Sequence, residues 1–189
     1  MVNIGFICEG ATEKLLVDSV DFNSFVETFN CKIVASVDAG GNGNLLPKNI
    51  TPFILALKSK GSEFIFILSD LDADLCITLT KERISAPADL ITVIAVKTIE
   101  SWFLADSALL SKLCGEETHI DFPEEEIKPF EAFRRIVNEK AGRGIGFSKL
   151  VVAKKIISKG FSMNSVLKHP NCQSAQYFFK KLKGIEKKS

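Results

Sequence analysis

Glu63-Phe-Ile-Phe-Ile-Leu-Ser-Asp-Leu-Asp72 joins an uninterrupted apolar run to a pair of aspartates. An apolar run without polar alternation matches a strand covered on both faces, as in a parallel sheet. Aspartates straight after it put carboxylates at the strand's carboxyl end, where open α/β sheets take their ligands. Working outward, Val2-Asn-Ile-Gly-Phe-Ile-Cys8, Cys31-Lys-Ile-Val-Ala-Ser-Val37 and Leu90-Ile-Thr-Val-Ile-Ala-Val96 read as three more strands. Helical spacing fills the intervals at 11–29, loosely and with a break near Asp21-Phe-Asn23, and at 46–59, with Pro47 in the first turn and Pro52 as a weak point. Residues 73–85 lean to helix, and 99–113 read as helix. Strands alternating with helices predict an α/β domain with a mainly parallel four-stranded sheet flanked by helices.

After residue 114 the strands stop. A polar, acidic connector over 116–123 leads into helical patterns at 123–140, 147–159 and 172–183. The expected organisation is an α/β domain at 1–115 and a basic helical extension at 116–189 packed on it. With 189 residues, 46% hydrophobic and 25% charged, the composition suits a domain with a real core and excludes a disordered or fibrous chain. No apolar run reaches the ~18 residues of a membrane span. Met1 to Cys8 has no basic lead or small-residue cleavage site, so it reads as a first strand and not as a signal peptide. Cys8, Cys31, Cys76, Cys114 and Cys172 are odd in number and scattered without a CxxC pair, as expected of reduced, mostly buried thiols in a cytoplasmic protein.

Charge is distributed unevenly. Residues 1–139 carry 12 Lys and Arg against 22 Asp and Glu, a net −10, whereas residues 140–189 carry 12 against the single acid Glu186, a net +11. That asymmetry suggests an anionic partner, and phosphate contact by Lys and Arg is its direct physical use. Lys149 and Lys154, just after Gly142-Arg-Gly-Ile-Gly146, are candidate phosphate contacts, though a solvated helix face accounts for them equally well. The glycine run itself has no strand before it and reads as a helix–helix loop. Near the terminal lysines the aromatics are Tyr177, Phe178 and Phe179, which read as a core stripe and do not indicate base stacking. His119 and His169 lack an acid or Cys at ligand spacing and read as surface or capping residues.

The acids fall where strands end: Glu9-Gly-Ala-Thr-Glu13 after the first, Asp38-Ala-Gly-Gly41 after the second, and Asp70-Leu-Asp72-Ala-Asp74 at the third. Alternate residues of an extended segment point the same way, roughly 6–7 Å apart, so Asp70 and Asp72 would aim at one point, with Glu9 joining from the neighbouring strand. Three carboxylates at one mouth repel unless a divalent cation neutralises them, and Mg²⁺ or Mn²⁺ suits such oxygen ligands. A lone DxD is also a turn or N-cap signal, and Glu13 in a first helical turn also complements the helix dipole. Gly10 permits a tight turn and Thr12 is a candidate cap.

Cys8-Glu-Gly-Ala-Thr-Glu13 with Ser69-Asp-Leu-Asp72 resembles the Toprim domain shared by topoisomerases, primases and the OLD (overcoming lysogenization defect) nucleases, including the glycine-pair loop Asp38-Ala-Gly-Gly-Asn-Gly-Asn44 of the OLD type. Glu100-Ser-Trp-Phe-Leu-Ala-Asp106 resembles the "E-x-W-x-L-A-D" signature of a small Toprim-like bacterial family, domain-of-unknown-function family 4276. Gly146-Phe-Ser-Lys-Leu-Val-Val-Ala-Lys-Lys155 is similar to that family's "S-K-x-x-x-A" helix, and His169 to Lys180 is a looser version of its last helix. The resemblance implies a Toprim-like fold and a Mg²⁺- or Mn²⁺-dependent nuclease. Glu9, Asp70 and Asp72 would be both catalytic and metal ligands, Glu13 would assist a second metal, and Asp74 would be an occasional third aspartate. Glu100 would stand behind the ligands or at a second metal, while Trp102 and Asp106 would be structural. It further implies nucleic acid as partner, DNA ahead of RNA, and an AAA-type ATPase in trans in a phage-defence setting, since members of that family often lie beside a separate ATPase gene; this sequence itself has no GxxxxGK[ST]. Two other readings stay open: a non-catalytic Toprim-like adaptor or regulator of that ATPase, and a phosphatase or nucleotide-processing enzyme of another doubly wound fold, since a DxD after an apolar strand also resembles the haloacid dehalogenase arrangement, although that arrangement begins at strand one and here strand one ends in Glu9.

Overall fold

Alternation of side chains along the strands sorts the core into two layers. Four parallel strands, β1 (Val2–Cys8), β2 (Cys31–Asp38), β3 (Phe64–Asp70) and β4 (Leu90–Ala95), lie in the order β2-β1-β3-β4 in the computed structural model, which describes residues 1–87, 89–142 and 144–186. Ile7, Ile65, Ile67 and Ile94 face one side, while Ile4, Phe6, Cys8, Phe66, Leu68, Val93 and Ala95 face the other, the period of two that a pleated strand imposes. The expected α/β fold with a four-stranded parallel sheet is therefore the observed one. Because both faces are covered, the two central strands are apolar almost throughout.

The first face is covered by a 3-10 turn at Asn42–Leu45, by α3 (Pro47–Ser59) and by α4 (Ile77–Ile84), through Leu45, Ile50, Leu57 and Ile84. Gly5 permits close contact on this side, since a Cβ there would lie 2.5 Å from Ser62 Oγ and 3.3 Å from Leu57 Cβ. The second face carries α1 (Ala11–Val17), α2 (Val20–Glu27), α5 (Glu100–Ala105), α6 (Ser107–Cys114), α7 (Pro129–Ala141), α8 (Lys149–Ser158), α9 (Met163–Lys168) and α10 (Gln173–Glu186). The first helical region breaks at Asp18 and Ser19, earlier than expected, because Ser19 Oγ accepts the Phe22 N–H and restarts the helix. The helix expected over 99–113 is divided at Asp106, whose carboxylate accepts the Leu109 N–H and the Ser162 N–H. Short α9 was not foreseen from the sequence.

Residues beyond 115 share one core with the sheet. Phe178 of α10 packs at ring-centroid distances of 6.1 Å from Phe6, 5.5 Å from Phe22, 5.6 Å from Phe66 and 6.0 Å from Trp102, and all five rings are essentially solvent-free. The acidic connector is built into that packing. Glu124 accepts the N–H groups of Gln173 and Ser174 at 3.0 and 2.9 Å, capping the start of α10, and Trp102 Nε1 donates to Ser174 Oγ at 2.8 Å. His169 caps the end of α9, as one of its two expected roles has it, but is buried and not on the surface; its Nε2 bonds the Ile120 carbonyl oxygen at 2.8 Å, fastening the same connector. Its desolvation holds the imidazole below its ordinary pKa. Four of the cysteines are buried and Cys76 is exposed, all five without a disulfide. Among the described residues no helix is long and apolar enough to cross a membrane.

Phe178→Ala removes the ring at the centre of this aromatic layer and is expected to cost about 3–5 kcal/mol. Urea unfolding should shift as one transition for sheet and helices together. A loss under about 1 kcal/mol, or a separate early transition leaving the sheet intact, would contradict a shared core.

Candidate active site

The strand order reverses direction at β1: the chain goes from β1 to β2 on one side, then crosses back to β3 on the other. In open α/β sheets the crevice at such a point, beyond the carboxyl ends, is where ligands bind. Glu9 and Asp70 stand there. Glu9 directly follows β1, and its backbone is held on both sides, its N–H donating to Leu68 O at 2.9 Å and its carbonyl accepting the Gly41 N–H at 2.8 Å. The second contact requires the Gly40-Gly41 turn, whose φ angles of 73° and 116° suit glycine. Glu9 Oε2 accepts from Ser69 Oγ at 2.6 Å and from the Asp70 N–H at 3.1 Å, so one carboxylate oxygen joins the ends of the two central strands.

Asp70 ends β3. Its Oδ1 accepts the Ile99 N–H at 2.8 Å, tying β3 to the turn before α5. Burial holds its carboxyl well above the ordinary aspartate range, and the charges of Glu13, Glu100, Glu9 and Asp72 push in the same direction. Glu13 is buried in α1 and accepts the Gly10 N–H at 3.0 Å; Gly10, not Thr12, is the residue at the cap. Burial, then Glu100 and Glu9, raise Glu13 to about 7 against the opposing hydrogen bonds. Glu100 opens α5 and is 3% exposed; Oε1 lies 3.6 Å from Lys149 Nζ, while Oε2 is buried with no hydrogen-bond partner. Thr98 Oγ1, two residues before it, is buried and unpartnered too.

The remaining predicted residues divide. Asp72 is exposed in a turn at φ 49° with its N–H on Lys97 O at 2.8 Å. The extended geometry expected for Asp70 and Asp72 is therefore not observed, because pairing with β4 ends and the chain turns. Asp72 still adds its charge to the field at Asp70. Asp74 is turned to the start of α4, 2.8 Å from Thr80 Oγ1 and 2.9 Å from Arg83, and these hydrogen bonds, Thr80's first, hold its carboxyl below the usual range. Lys149, expected to meet phosphate, is the cation paired with Glu100, and Lys154 is exposed on the same helix, α8. Ser69 was missed by sequence reasoning; the signal was a hydroxyl residue directly before the aspartate pair on an otherwise apolar strand. Lys149 was missed as a partner of Glu100 because no local pattern links α8 to α5.

Four carboxylates, those of Glu9, Glu13, Asp70 and Glu100, thus cluster at the β1/β3 mouth, with Lys149 in contact with Glu100 and Asp72 exposed beside them. Among the described residues no three His, Cys, Asp or Glu side chains are arranged to hold a metal ion as they stand. The donor set is nevertheless that of a hard cation: oxygen ligands only, mutually repelling, with a buried Glu100 oxygen lacking a partner. Comparisons with protein-family models, with curated proteins and with solved structures find no match to this chain.

Metal-free protein should lose stability as pH rises. Glu13 and Asp70 have folded pKa values above their unfolded ones, so the folded state binds more protons in the interval between. Their contribution is full below the unfolded pKa and is lost as pH rises through the folded one, about 7 for Glu13. In chelator, the urea midpoint should fall from pH 5 to pH 8, by up to about 3 kcal/mol of stability from Glu13, and Glu13→Gln should flatten the slope. A wild-type midpoint that rises across this range would contradict the burial and repulsion of these carboxyls.

Proposed function

We propose that the chain is a divalent-metal-dependent nuclease, hydrolysing phosphodiester bonds at the mouth formed by Glu9, Asp70 and Asp72. The observation that carries this reading is the clustering of the Glu9, Glu13, Asp70 and Glu100 carboxylates at the switch point of a parallel sheet, with a buried, unpartnered oxygen on Glu100 and Asp72 exposed beside them. Glu9, Asp70 and Asp72 would hold Mg²⁺ or Mn²⁺, with Glu13 and Glu100 adding negative charge behind them. A bound ion of this kind lowers the pKa of an attacking water and offsets charge on the scissile phosphate.

The chain's own groups do the positioning. Ser69 and the Asp70 N–H orient Glu9, and the Ile99 N–H orients Asp70. Lys149 neutralises part of Glu100 and sets a positive charge at the rim of the mouth. The lysines of α8, Lys154 among them, would hold the phosphate backbone without reading sequence, whereas Lys180 and Lys181 lie beside the starts of β3 and β4, at the opposite edge of the sheet. DNA is the substrate placed first. A second reading, a Toprim-like adaptor working through an AAA-type ATPase in trans, is favoured by one observation: among the described residues no ligand triad is formed as it stands.

Purified protein incubated with plasmid, linear and single-stranded substrates in Mg²⁺, Mn²⁺ or chelator tests this. Metal-dependent cleavage is expected, reduced at least about a hundredfold by Asp70→Ala with Asp72→Ala, whereas Asp74→Ala should leave activity within a few-fold. Absence of cleavage from folded protein, joined by ATPase binding that survives the double substitution, would overturn the nuclease reading in favour of the adaptor.

A further inference from the structure

Phe147 is 86% exposed, yet its ring is backed by a fixed group. The Arg134 guanidinium carbon lies over it, 4.4 Å from the ring centroid. Arg134 is itself only 15% exposed; its Nε donates to the Gly146 carbonyl at 2.6 Å and its Nη1 to Glu131 Oε2 at 2.8 Å. On α7, one turn before Arg134, buried Phe130 has its centroid 5.6 Å from the same guanidinium carbon. Lys149 Nζ is 6.0 Å from the Phe130 centroid and 3.6 Å from Glu100 Oε1. Phe147, Arg134, Phe130, Lys149 and Glu100 therefore form a continuous line from the surface to the carboxylate mouth.

An isolated exposed apolar residue is ordinary on a protein surface. This one differs in three respects. One ring face is occupied by an immobilised cation, which leaves the other face presented to solvent. The loop carrying it leads directly into Ser148 and the α8 lysines, in a segment of strong positive charge. The line of contacts behind it ends on the acid cluster. Aromatic rings beside cations along a backbone-binding path are the elements of single-strand recognition: every base has a π-face, and an unpaired base can lay it on a ring. Bases within a duplex have both faces covered by their neighbours.

We propose that Phe147, held by Arg134, is a stacking platform for an unpaired nucleobase, and that the nucleic acid entering the carboxylate mouth is single-stranded there. This rests on the nucleic-acid reading above and narrows its substrate class. Tyr177, Phe178 and Phe179, the aromatics beside the terminal lysines, read from the sequence as a core stripe without base stacking, and Phe178 is committed to the core; Phe147 lies apart from them in the loop before α8.

Fluorescence anisotropy in chelator, with a labelled oligothymidine and a hairpin duplex of equal length, reads binding without cleavage. Wild-type protein should prefer the single strand. Phe147→Ala should weaken single-strand binding about five- to a hundredfold, the loss typical of one stacked base, with duplex binding unchanged and the far-UV spectrum intact. Phe147→Trp should retain wild-type affinity. Equal single-strand affinities for wild type and Phe147→Ala would overturn the platform; if wild type still cuts in Mn²⁺, the nuclease reading survives that loss. Phe147-dependent binding without metal-dependent cleavage would support the platform and overturn the nuclease. Wild-type protein that binds neither oligonucleotide and cuts neither in Mn²⁺ would overturn both.

Discussion

Glu9 is held to the end of β3 by hydrogen bonds from Ser69 Oγ and the Asp70 N–H, and the rest of the site is arranged around that joint. The two strands lie side by side because their apolar residues are buried on both faces, which brings their carboxyl ends together at the reversal of the sheet. Folding thereby forces like charges into proximity. Asp70 reaches back to the Ile99 N–H, and Glu13 and Glu100 come in on the first turns of α1 and α5. Hydrophobic burial supplies the driving force for the strands, and the repulsion among the acids is a cost that packing must exceed. Concentrating unfavourable charge at a ligand-binding crevice is a common signature of function.

The helices after residue 115 supply what the sheet lacks. α10 covers the aromatic face through Phe178, and the Glu124 carboxylate fixes its start. α8 brings Lys149 against Glu100, and behind that pair Phe130 and Arg134 of α7 link it to the exposed Phe147 ring in the loop before α8. The acidic and basic parts of the chain are thus joined through one core, and they meet at the site where Lys149 pairs with Glu100.

The sheet was legible because its apolar runs are of strand length, rich in Val, Ile and Phe, and bounded by polar turns, the features that separate a buried strand from a buried helix. Glu9, Glu13, Asp70 and Glu100 were legible because strand ends and first helical turns fix where such side chains must go. Asp72 was placed correctly along the chain but not in conformation: the residue adopts a left-handed turn, which an alternation rule for extended chain does not anticipate. Asp74 was read with its neighbours, yet its partner Arg83 lies a helix away and takes it from the mouth. Pairings between distant elements, Lys149 with Glu100 or His169 with Ile120, have no local pattern in the sequence. The same holds for Phe147, whose neighbours in sequence are glycine and serine and whose backing, Arg134, is 13 positions earlier.

The central claim is that this repulsion is relieved by a divalent cation at the mouth. Crystals grown with Mn²⁺, measured at a wavelength where manganese scatters anomalously, test it directly. The account predicts a single strong anomalous peak, or a close pair, contacted by carboxylate oxygens of Glu9, Asp70 and Asp72. Mn²⁺ bound only elsewhere, with the acid cluster unchanged and free of anomalous density, would contradict it.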